Sequence, residues 1–196
     1  MYRIIFRVDS SYEIGLGHLN RCLNFAEYLK KKNYQIIFLC RKLEGNSNYL
    51  VRKKFKIIEI ENKTVKYKKK WLHVDYDTEI SDLRKVLAKF TKSILFIDHY
   101  GIDHIVEINI KHLVKKIVTV SDLPGRKHVA DILIDPNYKR KNEDYANFVG
   151  KGCKVYTGIN FNFLSENFNK FREQSLKKRN NKLKNILIYF GGSDQT

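Results

Sequence analysis

Apolar positions recur along this chain in two rhythms. Short apolar runs at residues 4–8 (Ile4, Ile5, Phe6, Val8), 34–39, 56–60, 93–97, 116–120 and 131–135 read as strands buried on both faces. Between them, apolar residues spaced three and four apart, such as Leu19, Cys22, Leu23, Ala26 and Leu29, read as amphipathic helices. The spacing predicts helices over 19–32 and 78–90, a third starting near Asp103, and a short one introduced by Gly45, Asn46 and Ser47. A further strand runs through Lys154, Val155 and Tyr156, framed by Gly152 and Gly158. Strands that alternate with helices need crossover connections, and right-handed parallel units are the default. The expected fold is therefore α/β, a Rossmann-like parallel sheet with helices on both faces.

Two stretches depart from this rhythm. Residues 61–77 are polar and lysine-rich, with Trp71 and several tyrosines interspersed. Aromatic residues among lysines can stack on bases. The preferred reading is a surface excursion pinned to the core by Trp71 and Leu72, with no chemistry placed there. Residues 169–184 are strongly charged and read as a helix and linker, after which 185–190 form an apolar strand that runs into Gly191, Gly192 and Ser193.

Composition narrows the class. With 43% hydrophobic and 13% aromatic residues, 196 residues can bury the core of one domain with room for an appendage, which argues against disorder. No apolar run reaches the roughly 18 residues of a membrane helix, and Met1, Tyr2 and Arg3 lead straight into a strand. A cytoplasmic protein with no membrane partner is expected. Cys22, Cys40 and Cys153 lie far apart, which fits reduced thiols better than a disulfide framework or a zinc site, so no metal is expected. The formal charge of +17 raises nucleic acid as a partner, but the lysines are spread and no helix-turn-helix, RNP or OB signature accompanies them. Nucleic acid is not expected. A positive field does favour a diphosphate-bearing substrate.

The candidate chemistry sits at strand ends, where open α/β sheets bind ligands and helix N-termini offer free N–H groups to anions. After the first strand, a polar loop with Gly15 and Gly17 opens into a helix with His18 at its mouth. Either the glycines bring backbone to a ligand that His18 faces, or they merely turn the chain; the pattern leaves both open. The dinucleotide fingerprint fails, because Asn20 stands where the third glycine belongs and no ribose-binding acid follows Cys40 and Arg41. Nor does a Lys-Ser/Thr pair follow to make a nucleoside triphosphate loop. The strand Ile94, Leu95, Phe96, Ile97 runs into Asp98, His99, Tyr100 and Gly101 at the same edge. Asp98 reads equally as a ligand contact or as a cap on the next segment. Asp98, His99 and His104 are poorly spaced for a metal.

Phe6, Arg7, Asp9, Ser10, Ser11, Ile14, Gly15, Gly17, His18 and Arg21 together resemble the opening of the bacterial UDP-sugar hydrolases of pseudaminic acid (nonulosonate) synthesis. Ile97 to Gly101 and Gly191, Gly192, Ser193, Asp194 match the same family in order. The resemblance implies the two-domain GT-B architecture of glycosyltransferases such as the lipid II N-acetylglucosaminyltransferase. It divides this chain into an N-terminal domain over 1–160, a helix and linker over 161–184, and the opening strand and glycine loop of a nucleotide-binding domain over 185–196. It implies cofactor-free hydrolysis of a UDP-linked diacetamido-trideoxyhexose, in which water attacks the anomeric carbon and UDP departs. His18 and Tyr100 take catalytic places, and Gly17, Asp98, Gly191, Gly192 and Ser193 bind substrate. At a helix N-terminus the imidazole is expected to stay neutral and able to accept a proton.

Two positions depart from the family: Ser121-Asp122 where relatives carry an Asp-Asp pair, and Ser165 where they carry arginine. A serine lacks the arginine fork that grips phosphate. The competing readings are a GT-B glycosyltransferase using a UDP-sugar and a non-catalytic nucleotide-sugar-binding remnant. A separate chain supplying the rest of the second domain is an expected partner.

Overall fold

The structure, a computed structural model, describes residues 3–179, 183 and 186–188. Seven strands, β1 (Arg3–Val8), β2 (Gln35–Arg41), β3 (Lys56–Ile60), β4 (Ile94–Asp98), β5 (Lys116–Val120), β6 (Ile132–Asp135) and β7 (Lys154–Thr157), form one sheet. Every pairing is parallel and the order is β3-β2-β1-β4-β5-β6-β7. The chain builds outward from β1 to β3, returns to β4 and builds the other way. Beyond the C-terminal ends of β1 and β4 lies the crevice that this reversal creates.

The helices are α1 (Gly17–Lys31), α2 (Asn48–Arg52), α3 (Tyr76–Leu87), α4 (His104–Ile110) and α5 (Glu166–Lys177). Strand side chains alternate between two faces, and both faces carry apolar residues. Ile4, Phe6 and Val8 of β1 and Ile36, Phe38 and Cys40 of β2 pack with Leu19, Cys22, Leu23, Ala26 and Leu29 of α1. Ile5, Ile37, Leu39, Leu95 and Ile97 pack on the other face with Ile80, Leu83 and Leu87 of α3 and Val106 and Ile110 of α4. The expected sheet with helices on both faces is the observed one.

Three helices begin earlier than the apolar spacing alone predicts, and local chemistry explains two of them. Asp75 caps α3, its carboxylate accepting the Thr78 N–H at 2.7 Å. Ser165 caps α5 by accepting the Asn167 N–H at 3.4 Å, so that helix starts at Glu166 and ends at Lys177. α1 starts at Gly17, which puts Gly17 and His18 inside its first turn, with no side-chain cap. Of the expected strand at 185–190, Ile186, Leu187 and Ile188 are described; they are exposed and belong to no strand.

The sheet is not covered evenly. Past α1, the face of β4 to β7 carries an apolar groove of about 890 Å³ between Phe25, Phe96, Ile134, Tyr156 and Phe163. On the α3 side the strand rule is broken by two fully buried arginines, Arg7 and Arg41. Buried charge is tolerated only when paired, and here Glu79 of α3 accepts from both, at 2.7 Å from Arg7 Nε and 2.5 Å from Arg41 Nη2.

Candidate functional site

The site forms where the loops after β1, β4 and β5 meet the first turn of α1. The β1 loop closes through Gly15, whose φ of 77° is open to glycine and whose N–H donates to the Ser11 carbonyl at 2.8 Å. Ser11 Oγ accepts the Ile14 N–H at 3.0 Å. At the base of this loop Asp9 is fully buried. Its Oδ1 accepts from Arg7 Nη1 at 2.5 Å and from the Arg41 N–H at 2.6 Å, and its Oδ2 lies 3.0 Å from His99 Nε2. Burial opposes ionisation of Asp9, yet Arg7 and His99 outweigh it and hold its carboxyl well below the usual carboxylate range.

His99 has no free nitrogen. Its Nδ1 accepts the Gly101 N–H at 2.9 Å, which leaves the proton on Nε2, donated to Asp9. The ring therefore bolts the β4 loop to the β1 loop and takes no part in proton transfer. Asp98 is likewise occupied. It is fully buried, and both of its oxygens are gripped by the fork of Arg21, whose remaining nitrogen donates to Asp122 Oδ2 at 3.0 Å. Arg21 thereby joins α1 to the loops after β4 and β5.

His18 differs from His99 in every respect but burial. Its ring is 8% exposed and stands edge-on to Tyr100, with centroids 4.3 Å apart. No described residue hydrogen-bonds to either ring nitrogen. Burial lowers its pKa below the ordinary 6.5; Arg21 works the same way, while Asp98 and Asp122 oppose it. Desolvation thus adds to whatever the helix terminus contributes to keeping the imidazole neutral at pH 7. Tyr100 is shifted in the opposite sense: burial and then Asp122 push its phenol up to about 12. The pair is one neutral imidazole able to accept a proton and one phenol that keeps its own. Beside them, a Cβ built on Gly17 would meet nothing within 4 Å, so this first turn of α1 borders open space.

The residues expected from sequence fall into three groups. His18, Tyr100 and Gly17 come together at the crevice. Asp98 lies behind it, holding Arg21. Gly191, Gly192 and Ser193 lie outside the described residues. Ser165 borders the apolar groove and caps α5.

Sequence reasoning missed two features. The first is Trp71. Leu72, fully buried, is what pins the 61–75 segment, whereas Trp71 is only partly buried and its ring stands 5.7 Å from that of Tyr100. Left-handed backbone at Trp71 (φ 68°) and His73 (φ 62°) turns the indole away from the core. The second is a buried relay beneath Asp122. Ser121 Oγ is 3.1 Å from His128 Nε2, His128 Nδ1 is 2.9 Å from Glu107 Oε1, and Glu107 also accepts from Thr119 Oγ1 and the Val129 N–H. The order serine, histidine, acid matches a nucleophile relay, but Ser121 is 2% exposed and no substrate reaches it. The relay braces the β5 turn that carries Asp122. Among the described residues no cluster of His, Cys, Asp or Glu could hold a metal ion, and no helix is long and apolar enough to cross a membrane.

No protein-family model matches the chain. It is 29% identical over 197 residues to an uncharacterised protein of Methanocaldococcus jannaschii, covering 98% of this chain and 37% of that protein. It is 27% identical over 197 residues to a UDP-2,4-diacetamido-2,4,6-trideoxy-beta-L-altropyranose hydrolase of Campylobacter jejuni, again over 98% of this chain and 61% of the hydrolase. The chain thus spans less than two thirds of the length of these relatives. Among solved structures, MurG of Acinetobacter baumannii aligns with a TM-score of 0.47 at 12% identity, over 79% of this chain and 44% of that one.

Proposed function

We propose that this chain carries the sugar-side half of a nucleotide-sugar hydrolase, with His18 as the general base. The observation that carries the reading is a buried imidazole at the switch point of the sheet, edge-on to Tyr100, with neither ring nitrogen hydrogen-bonded to a described residue and its pKa lowered by burial. Neither nitrogen is among the fully enclosed unpartnered atoms, so a ligand or water can reach and complete the ring. The likeness to the Campylobacter hydrolase supports a UDP-sugar as that ligand, and its diacetamido-trideoxy-altropyranose nucleotide is the substrate we infer.

In this reading His18 takes a proton from water as the oxygen bonds to the anomeric carbon, and the bond from that carbon to the diphosphate oxygen breaks with its electron pair leaving on UDP. Tyr100, protonated at neutral pH, donates a hydrogen bond to the sugar or the water. Gly17 lets the first turn of α1 come close to the substrate. Asp98 acts at one remove by fixing Arg21. Residues 185–196, Gly191, Gly192 and Ser193 among them, are inferred to open the nucleotide-binding domain after a domain at 1–160 and a connection at 161–184.

The test is UDP release from the altropyranose nucleotide by the chain paired with the remainder of a relative. His18→Ala is expected to slow release by about 10²–10⁴-fold with unchanged circular dichroism. Equal rates would remove His18 from the reaction. Product analysis with sugar acceptors present separates hydrolysis from glycosyl transfer.

A further inference from the structure

The segment between β3 and α3, residues 61–75, is long for a connection in an α/β domain, where two to six residues are usual. It is nevertheless tightly held. Leu72 and Val74 are fully buried on the α3 side of the sheet. The N–H groups of Leu72 and His73 both donate to the Lys69 carbonyl at 3.2 Å, and the Lys69 N–H returns to the Val74 carbonyl at 3.0 Å. A Cβ on Gly101 would sit 2.8 Å from the Leu72 nitrogen, so the β4 loop and this turn touch backbone to backbone. His73 Nε2 comes within 3.5 Å of Glu13 of the β1 loop without a hydrogen bond. The turn is thereby fastened to the β4 loop and lies beside the β1 loop.

The fastening has a cost that packing alone does not explain. Trp71 and His73, neither a glycine, both adopt the left-handed backbone. Strain of this kind survives where the surroundings impose it, and it gathers at ligand sites. Its product here is the position of one side chain. Leu72 goes to the core, while the indole of Trp71 is left partly exposed against Tyr100, which is itself against His18. Imidazole, phenol and indole make a continuous aromatic wall, and the exposed Lys70 ammonium lies 5.0 Å from the indole centroid at its outer end. An aromatic wall in a crevice recognises what a few hydrogen bonds cannot, a ring face made of C–H groups.

We propose that Trp71 is a specificity-determining residue, presented by the strained turn so that its indole packs on the C–H face of the sugar whose anomeric carbon His18 addresses. The ligand class is a pyranose poor in hydroxyls on that face, attached to a nucleoside diphosphate. The inference rests on the sugar-nucleotide reading above and adds a third wall to that site.

Trp71 is the only tryptophan of the chain, so its emission reports on this wall alone. The experiment titrates the chain, paired with the remainder of a relative whose own tryptophans are replaced by phenylalanine, with the altropyranose nucleotide, and separately with UDP, following Trp71 quenching by acrylamide together with the imidazole resonances of His18. The nucleotide sugar is expected to shield Trp71 and shift His18, whereas UDP leaves the quenching of Trp71 unchanged. A shift at His18 with no shielding of Trp71 overturns the role of the indole and leaves the sugar reading intact. No response at either residue overturns that reading, and the proposal with it. Measured through His18, Trp71→Ala is expected to weaken binding of the nucleotide sugar by about two- to tenfold, with Trp71→Phe recovering most of the loss. Unchanged affinity in both variants overturns the proposal.

Discussion

His18, in the first turn of α1, and His99, in the β4 loop, are both buried, yet they differ in how their ring nitrogens are engaged. Asp9 and the Gly101 N–H consume both nitrogens of His99, while no described residue hydrogen-bonds to either nitrogen of His18. Because the pKa of His18 is lowered, the folded protein binds its proton more weakly than the unfolded chain does. The neutral base therefore prevails at pH 7, and the acid limb of kcat/KM is expected to have its midpoint below 6.5, the ordinary histidine value. A midpoint at or above 6.5 in a pH–rate profile would contradict this environment. The same sign applies to stability: this contribution is intact above 6.5 and is lost as pH falls through the folded value. His18 was only partly legible in the sequence: the glycine-punctuated loop before an amphipathic helix left open whether it faces a ligand, and its catalytic place came from the family resemblance. The fate of His99 was not legible, since its partner Asp9 stands far away in the chain and meets it only when β1 and β4 pair.

At the scale of elements, β1, β2 and α3 are joined by charge. Arg7 and Arg41 lie on adjacent strands, and Glu79 of α3 accepts from both with no exposure on any of the three. Burial opposes the ionisation of Glu79, but Arg7 and Arg41 outweigh it and keep its carboxyl below the usual range. Removing the acid would leave two guanidinium groups short of a buried counter-charge. Glu79→Ala is expected to cost about 3–5 kcal/mol, read as a lower urea midpoint at an unchanged m value. A loss near zero would mean that the arginines find water instead. Nothing local in the sequence says that these three residues meet: Arg7 interrupts an apolar run and belongs to the opening motif, but Arg41 and Glu79 read as ordinary charges in their own segments. By contrast, most of the strands and helices were legible from period and turn residues, and the early starts of α3 and α5 follow from Asp75 and Ser165, which are recognisable caps once the helix is known. The same logic limits Ser165: a residue that caps α5 beside the apolar groove is not at the crevice.

For the whole molecule the net charge of +17 matters through its field. Among the described residues most lysines are solvated, and only a few pair at the surface, as Lys42 does with Glu61 and Lys54 with Glu27. On the proposed function, their sum is expected to attract the diphosphate of the substrate. The association rate of UDP-sugar, followed by the Trp71 signal, is expected to fall by about tenfold or more from low to high ionic strength. A rate indifferent to salt would show that the field plays no part in capture.

Hydrophobic period with turn residues determined most of the strands and helices and the α/β class, because residues buried on both sides of a sheet must be apolar in runs and helix faces must repeat every three to four positions. The apolar run at 185–190 shows that the period is not sufficient, since its described residues are exposed and in no strand. The tertiary structure alone decided which polar groups are spent and which are free. Asp98 and His99 are consumed by partners from other segments, Ser121 is sealed into a relay, and Trp71 is turned outward by two left-handed residues. Hydrogen bonds and burial belong to pairs of distant residues, and a linear pattern carries no record of which pairs the fold will bring together.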